Sequence, residues 1–272
     1  MRAWGVRRPA RVYGGGMNND AQAMQPEPLV GRPSSVVPGR FGEPLEVTRT
    51  RMSRGNTTAQ PNRPLFVCLH GWGSNEDDLA GMMQYVAPYN DFVSLRAPIT
   101  LQEPSNGGFF AQPGAYSWLH DAVPGGEDLD YDAYAAARAI DTWVADNVPT
   151  ERDVVPIGFS QGGLLAIQLL RVHPERYRAS ICLSGFVAPG IVPGTHPADE
   201  RLAALDIPVF YGYGTADTVV PRFLVNETLA WLEEHTWLSA HAYRGLDHSV
   251  SLDEFADLRQ WLLDHNIASG MM

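Results

Sequence analysis

The stretch "VVPIGFSQGGLLAIQLL", residues 154–170, decides the fold. It opens as a short apolar run, breaks at Gly158-Phe159-Ser160-Gln161-Gly162, and resumes as an apolar segment of helical length. A short continuous apolar run bounded by small residues suits a strand buried on both faces. A strand passed straight into a helix is the repeating unit of a parallel sheet, because parallel neighbours need a long crossover between them.

The same alternation extends through the rest of the chain from Pro64. Strand patterns fall at Leu65–Leu69, Phe92–Leu95, Val154–Ile157, Ser180–Leu183, Val209–Gly212 and Ser239–Tyr243. Helix-period segments lie between them at Glu76–Ala87, Tyr131–Asn147, Gln161–Val172, Arg222–Glu234 and Leu252–His265. The expected architecture is α/β, a mainly parallel central sheet with helices on both faces, formed by one domain over residues 64–272. The segment Arg96–Asp130 is rich in Gly, Pro and aromatics and reads as a long packed loop.

Before Pro64 the composition changes. Arg, Pro, Gly and Ser dominate, and apolar patterning is absent until "PLEVTRTRM" (44–52). Residues 1–40 are expected to be a disordered extension, and 41–63 a linker or edge strand. The paired arginines of "VRRPARVYGGG" (6–16) are not followed by an apolar run of leader length, so a cytoplasmic location is expected.

Charge divides the same way. Ten arginines face four acids up to Arg63, whereas ten arginines face twenty-seven acids beyond it, about −17 for the folded part. Such a body repels phosphate backbones, so nucleic acid is not an expected partner. No stretch has the ~18 apolar residues of a membrane span. Cys68 and Cys182 sit inside apolar strands and read as core thiols. The eight histidines show no metal-ligand spacing, and no cofactor is implied. Asp128, Asp130 and Asp132 mimic the start of a calcium loop, but Ala133 and Ala139 stand where that loop needs Gly and Glu. They read as a solvated acidic turn. A homodimer is compatible with the sequence.

The chemistry rests on order along the chain. A GxSxG motif alone is weak, but here it falls at a strand-to-helix turn, where the hydroxyl projects from the carboxyl end of the sheet. A serine hydroxyl needs a base, and the base a carboxylate that holds its tautomer. In this architecture the order is Ser, acid, His. His248 lies in the loop between the last strand and the last helix, at the sheet edge where Ser160 opens, while His173 and His265 fall at helix ends and His241 within a strand. Asp217 follows an apolar strand at the same edge. Asp247 is too close in sequence to reach its neighbour's ring, and Asp206 precedes a strand at the far edge. The amides of Gln161 and Trp72, the latter in "LHGWG" (69–73), are the expected oxyanion donors. His70 reads as a structural hydrogen-bonding residue.

In these residues the chain resembles the phospholipase/carboxylesterase family of α/β-hydrolases, which includes bacterial carboxylesterases and acyl-protein thioesterases. The resemblance covers about residues 64–268, through "LHGWGSNEDDL" (69–79), "LRAPI" (95–99) with "YSWL" (116–119), "GFSQGG" (158–163), "GTADTVVP" (214–221) and "DHSVSLDEFADLRQWL" (247–262). It implies an α/β-hydrolase fold, a Ser160–Asp217–His248 triad, and an oxyanion hole from the Trp72 and Gln161 amides. It also implies an acyl pocket bordered by Phe109, Phe110, Tyr116, Trp118 and Leu119. Family members commonly carry a smaller aliphatic residue where Trp72 stands, and the N-terminal extension has no family counterpart. The expected activity is hydrolysis of short to medium acyl esters, with thioesters and lysophospholipids open as substrates. Acyl transfer by the same triad and a non-catalytic binding role on the same scaffold are the alternatives.

Overall fold

The structure is a computed structural model that describes residues 63–105, 107, 112–120 and 125–267, together with the backbone of 50–53. The expectation for residues 1–40 lies outside the described residues.

Seven strands form the central sheet: β1 (Thr50–Ser53), β2 (Leu65–Leu69), β3 (Phe92–Leu95), β6 (Val154–Phe159), β7 (Ser180–Leu183), β8 (Pro208–Gly214) and β9 (Trp237–Tyr243), in spatial order β1-β3-β2-β6-β7-β8-β9. Six of them run parallel, and β1 closes one edge antiparallel to β3. Between β3 and β6 the chain makes a small antiparallel pair, β4 (Ile99–Gln102) and β5 (Ala115–Ser117). Periodicity did not mark this pair, because both strands are short and Gly and Pro surround them.

Strand alternation builds two cores. In β2, Leu65, Val67 and Leu69 join one cluster while Phe66 and Cys68 join the other, as a period of two requires. The first cluster takes residues from α2 (Gly126–Asn147), α3 (Gln161–Val172) and α5 (Arg222–His235). The second takes Leu79, Met83 and Val86 of α1 (Glu76–Val86) and Leu258, Trp261 and Leu262 of α6 (Leu252–Asp264). A one-turn helix, α4 (Asp199–Leu202), precedes β8. The sheet is therefore covered on both faces. Burial of both cysteines pushes their thiols well above the ordinary range.

The acidic run ahead of α2 departs from expectation. Asp130 and Asp132 are buried inside the helix, which begins at Gly126. The Asp130 carboxylate accepts the Gly190 and Val192 amides, each at 2.8 Å. Asp132 accepts from the His120 amide at 3.0 Å and pairs with the His120 ring. These acids are buried because each compensates its desolvation with amide and ring donors, and they pin two loops that border the site described below.

Candidate active site

Ser160 stands between the end of β6 and the first residue of α3 with φ 55° and ψ −116°. A non-glycine residue held there stores about 1–3 kcal/mol of backbone strain, so the surroundings must over-determine it. The Ser160 amide donates to Leu183 O at 2.9 Å. Two glycines make the turn sterically feasible. A Cβ on Gly158 would fall 2.0 Å from Gly162 O, and one on Gly162 would fall 1.8 Å from Leu69 O. The Ser160 hydroxyl does not cap α3; it lies 2.9 Å from His248 Nε2.

His248 occupies the β9–α6 loop, and its Nδ1 lies 2.7 Å from Asp217 Oδ2. Asp217 follows β8, and its Oδ1 accepts the amides of Val219 at 2.8 Å and Val220 at 2.9 Å. These bonds lock the carboxylate in one orientation. A carboxylate only accepts, so Nδ1 carries the proton and Nε2 is free to accept from the serine hydroxyl. The Phe159 ring packs 4.9 Å from the imidazole and supports it from the other side. Asp247 turns instead to the Ser249 hydroxyl, and His173 pairs with Asp141 beyond the other end of α3.

Trp72 and Gln161 flank the serine. As the first residue of α3, Gln161 has no carbonyl one turn back for its N–H to meet, and the helix dipole adds partial positive charge there. The Trp72 loop reaches the same point, since a Cβ on Gly71 would sit 3.4 Å from the Ser160 Cβ. The loop is tied down on three sides. Gly73 N donates to Tyr116 O, and Tyr116 N to Ser74 O, both at 2.9 Å. Trp118 Nε1 donates to His70 O at 3.0 Å. The His70 ring donates from Nδ1 to Gly71 O at 2.7 Å and accepts the Ala97 amide on Nε2 at 3.1 Å. Burial lowers its pKa, which keeps this buried ring neutral and structural. The Gln161 side chain joins the same framework, with Oε1 accepting Ser117 Oγ at 3.1 Å and Trp118 N at 3.2 Å.

A cleft of about 1010 Å³ opens over Ser160. Its walls are Trp72, Phe159, Leu129, Phe186–Pro189, Val219–Leu224 without Arg222, and Trp231, with Gln161 and His248 at its floor. The pocket residues expected from the resemblance need correction here. Tyr116, Trp118 and Leu119 are buried in the core and do not line this cleft. The Tyr116 backbone in β5 and the Trp118 indole just beyond it hold the Trp72 loop instead. Phe109 and Phe110 lie outside the described residues. The walls that sequence reading missed come from the loop after β7 and from α5, where Phe223, Glu227 and Trp231 recur every four residues. That spacing was a readable signal of one helix face; the loop after β7 offered none. Among the described residues, no group of three or more His, Cys, Asp or Glu is gathered to hold a metal, and no helix is long and apolar enough to cross a membrane.

A mainly parallel sheet with helices on both faces and a strand-to-helix serine turn at its carboxyl edge defines an α/β-hydrolase. The family model for Phospholipase/Carboxylesterase matches residues 55–266, and the chain belongs to that family. It is 27% identical over 215 residues to acyl-protein thioesterase 1 of Kluyveromyces lactis, covering 75% of this chain and 92% of that protein. Among solved structures it is similar to Zea mays acyl-protein thioesterase 2, with TM-score 0.59 and 18% identity, covering 80% of this chain and 98% of that one. The Bacillus cereus carboxylesterase is comparable, with TM-score 0.60 and 21% identity over 80% of this chain and 94% of that one. At these identities the structural likeness speaks for the fold.

Proposed function

We propose that this protein is a cofactor-independent serine esterase acting on short to medium acyl esters, with Ser160 as nucleophile, His248 as base and Asp217 as its orienting acid. The observation that carries the reading is the continuous chain Asp217 Oδ2–His248 Nδ1 at 2.7 Å and His248 Nε2–Ser160 Oγ at 2.9 Å, opening into an apolar cleft. Membership of a family of carboxylesterases and thioesterases supports it.

Ser160 Oγ attacks the acyl carbonyl carbon while its proton passes to His248 Nε2. Charge then gathers on the carbonyl oxygen, where the Trp72 and Gln161 amides receive it. Collapse of the tetrahedral species expels the alcohol or thiol, which leaves with the proton from His248. Water attacks the acyl-enzyme by the same sequence, the acid departs and Ser160 is regenerated. The two buried, unpaired thiols agree with a reducing, cytoplasmic setting. The test is hydrolysis of p-nitrophenyl butyrate by wild type and Ser160→Ala. Loss of the nucleophile is expected to lower kcat by about 10⁴ or more, and equal rates would refute the assignment.

A further inference from the structure

The charge lining the cleft selects among esters, and this inference rests on the reading of Ser160 as nucleophile. Among the described residues that line the cleft, the formally charged ones are Asp78 and Glu227. They reach it from opposite sides. Asp78 belongs to α1, which follows β2, and Glu227 to α5, which follows β8; β2 is the neighbour of β6 on one side and β8 lies two strands away on the other, beyond β7, with Ser160 at the end of β6. Both residues line the cleft into which Ser160 opens.

Among the described residues no arginine lines the cleft, and Arg171 and Arg222, which adjoin its walls, are engaged elsewhere. Arg171 stacks against Trp231 at 4.9 Å from behind, but Asp199 holds its Nε at 3.0 Å and its Nη2 at 2.7 Å. It is buried beneath the loop that forms the wall, donating to Ala188 O at 2.7 Å. Arg222 turns from the cleft to lie over the Tyr213 ring. The chain contains no lysine. The Ser74 hydroxyl donates to Asp78 Oδ2 at 2.9 Å.

We infer that the cleft favours esters whose acyl arm is neutral or cationic, and disfavours those whose acyl arm bears a carboxylate or phosphate. A cleft of one charge sign with apolar walls focuses its field on an entering ligand. The exposed rings of Trp72 and Phe223 at the same mouth would favour a cationic group further, through their π faces. Only the oxyanion position departs from this sign. There the start of α3 favours negative charge, which forms in the reaction and is not carried in by substrate.

Three p-nitrophenyl esters of similar acyl length test this: the butyrate, the monoester of glutarate, and the γ-trimethylammonio-butyrate. They share one leaving group and one readout. The expected order of kcat/KM is cation, neutral, anion, with a spread on the order of tenfold at about 0.01 M salt, shrinking toward equality at about 0.5 M. The doubly neutralised variant Asp78→Asn/Glu227→Gln is expected to shrink the spread at low salt. Equal rates, a reversed order, or a spread that neither salt nor the double variant alters would overturn the inference while the esterase reading stands. Absence of Ser160-dependent turnover of the butyrate would overturn the esterase reading and the inference with it.

Discussion

Replacement of Glu254 by Gln is expected to make the protein more stable at alkaline pH and to leave it nearly unchanged at acid pH. Glu254 is the third residue of α6, whose N-cap Ser251 accepts the Glu254 amide at 3.1 Å. That Ser-x-x-Glu spacing ordinarily sends the Glu side chain back to the N-cap amide. Here the side chain turns inward onto β8, where a Cβ on Gly212 would fall 2.0 Å from Glu254 Oε1. The residue is fully buried, and neither carboxyl oxygen has a hydrogen-bond partner among the described residues. Burial, the largest cause, pushes its pKa from 4.5 up to about 7, and the Asp257 charge adds to the rise.

The sign follows from proton binding. Between 4.5 and about 7 the unfolded chain has released this proton while the folded chain still holds it. The unfolding free energy therefore falls by about 1.4 kcal/mol per pH unit across that window and levels off above it, a total loss of about 3 kcal/mol. The neighbouring Tyr243 and Cys182 do not titrate there, because burial drives both well above the ordinary range. Gln stays neutral at every pH, so whatever it costs in packing is constant and the pH dependence isolates the carboxyl group. Urea unfolding followed by tryptophan fluorescence, between about pH 5 and 8, is expected to show Glu254→Gln gaining on wild type by about 3 kcal/mol as pH rises. A difference that stays flat, or one that moves the other way, would refute the reasoning, since it would mean that the ionised carboxylate is well accommodated.

The serine turn and its brace yield further expectations. Gly158→Ala and Gly162→Ala each force a Cβ onto backbone atoms at 2.0 and 1.8 Å, so each is expected to cost about 3 kcal/mol or more in urea unfolding. Gly81→Ala is the control: it meets nothing within 4 Å in the middle of α1 and is expected to gain about 0.5–1 kcal/mol. Trp118→Phe keeps the core filled but orphans His70 O. It is expected to cost about 1–2 kcal/mol and to lower kcat several-fold with little change in KM, because the Trp72 loop loses an anchor. Lost stability with unchanged kcat would show that the loop's position does not depend on that bond.

Much of the site was legible before any coordinates. Ser160, Asp217 and His248 each follow an apolar strand, and in a parallel sheet every such position opens at one edge. Period and order along the chain were thus enough to bring residues 57 and 31 positions apart to one place. The inward glycines of the serine turn were legible for the same local reason. The wall of the cleft was not. Tyr116, Trp118 and Leu119 were expected at the pocket from the family resemblance, whereas their side chains are buried in the core, beside a strand that two backbone bonds between Tyr116 and the Gly73–Ser74 turn hold in place.

Burial of charge was equally hidden. Asp130 and Asp132 read as a solvated turn, and nothing in the local pattern marks Glu254 as buried. What decided each case was a neighbour distant in sequence: the Gly190 and Val192 amides, His120, and the bare face of Gly212. The α/β class and the placing of Ser160, Asp217 and His248 at one edge of the sheet were readable from sequence alone, because those depend on period and chain order. Which aromatics brace the Trp72 loop, which carboxylates are buried, and that Asp78 and Glu227 line one cleft became visible only in the folded chain. Those outcomes depend on long-range packing and on where each buried polar group finds its partner, and neither has a signature in local pattern.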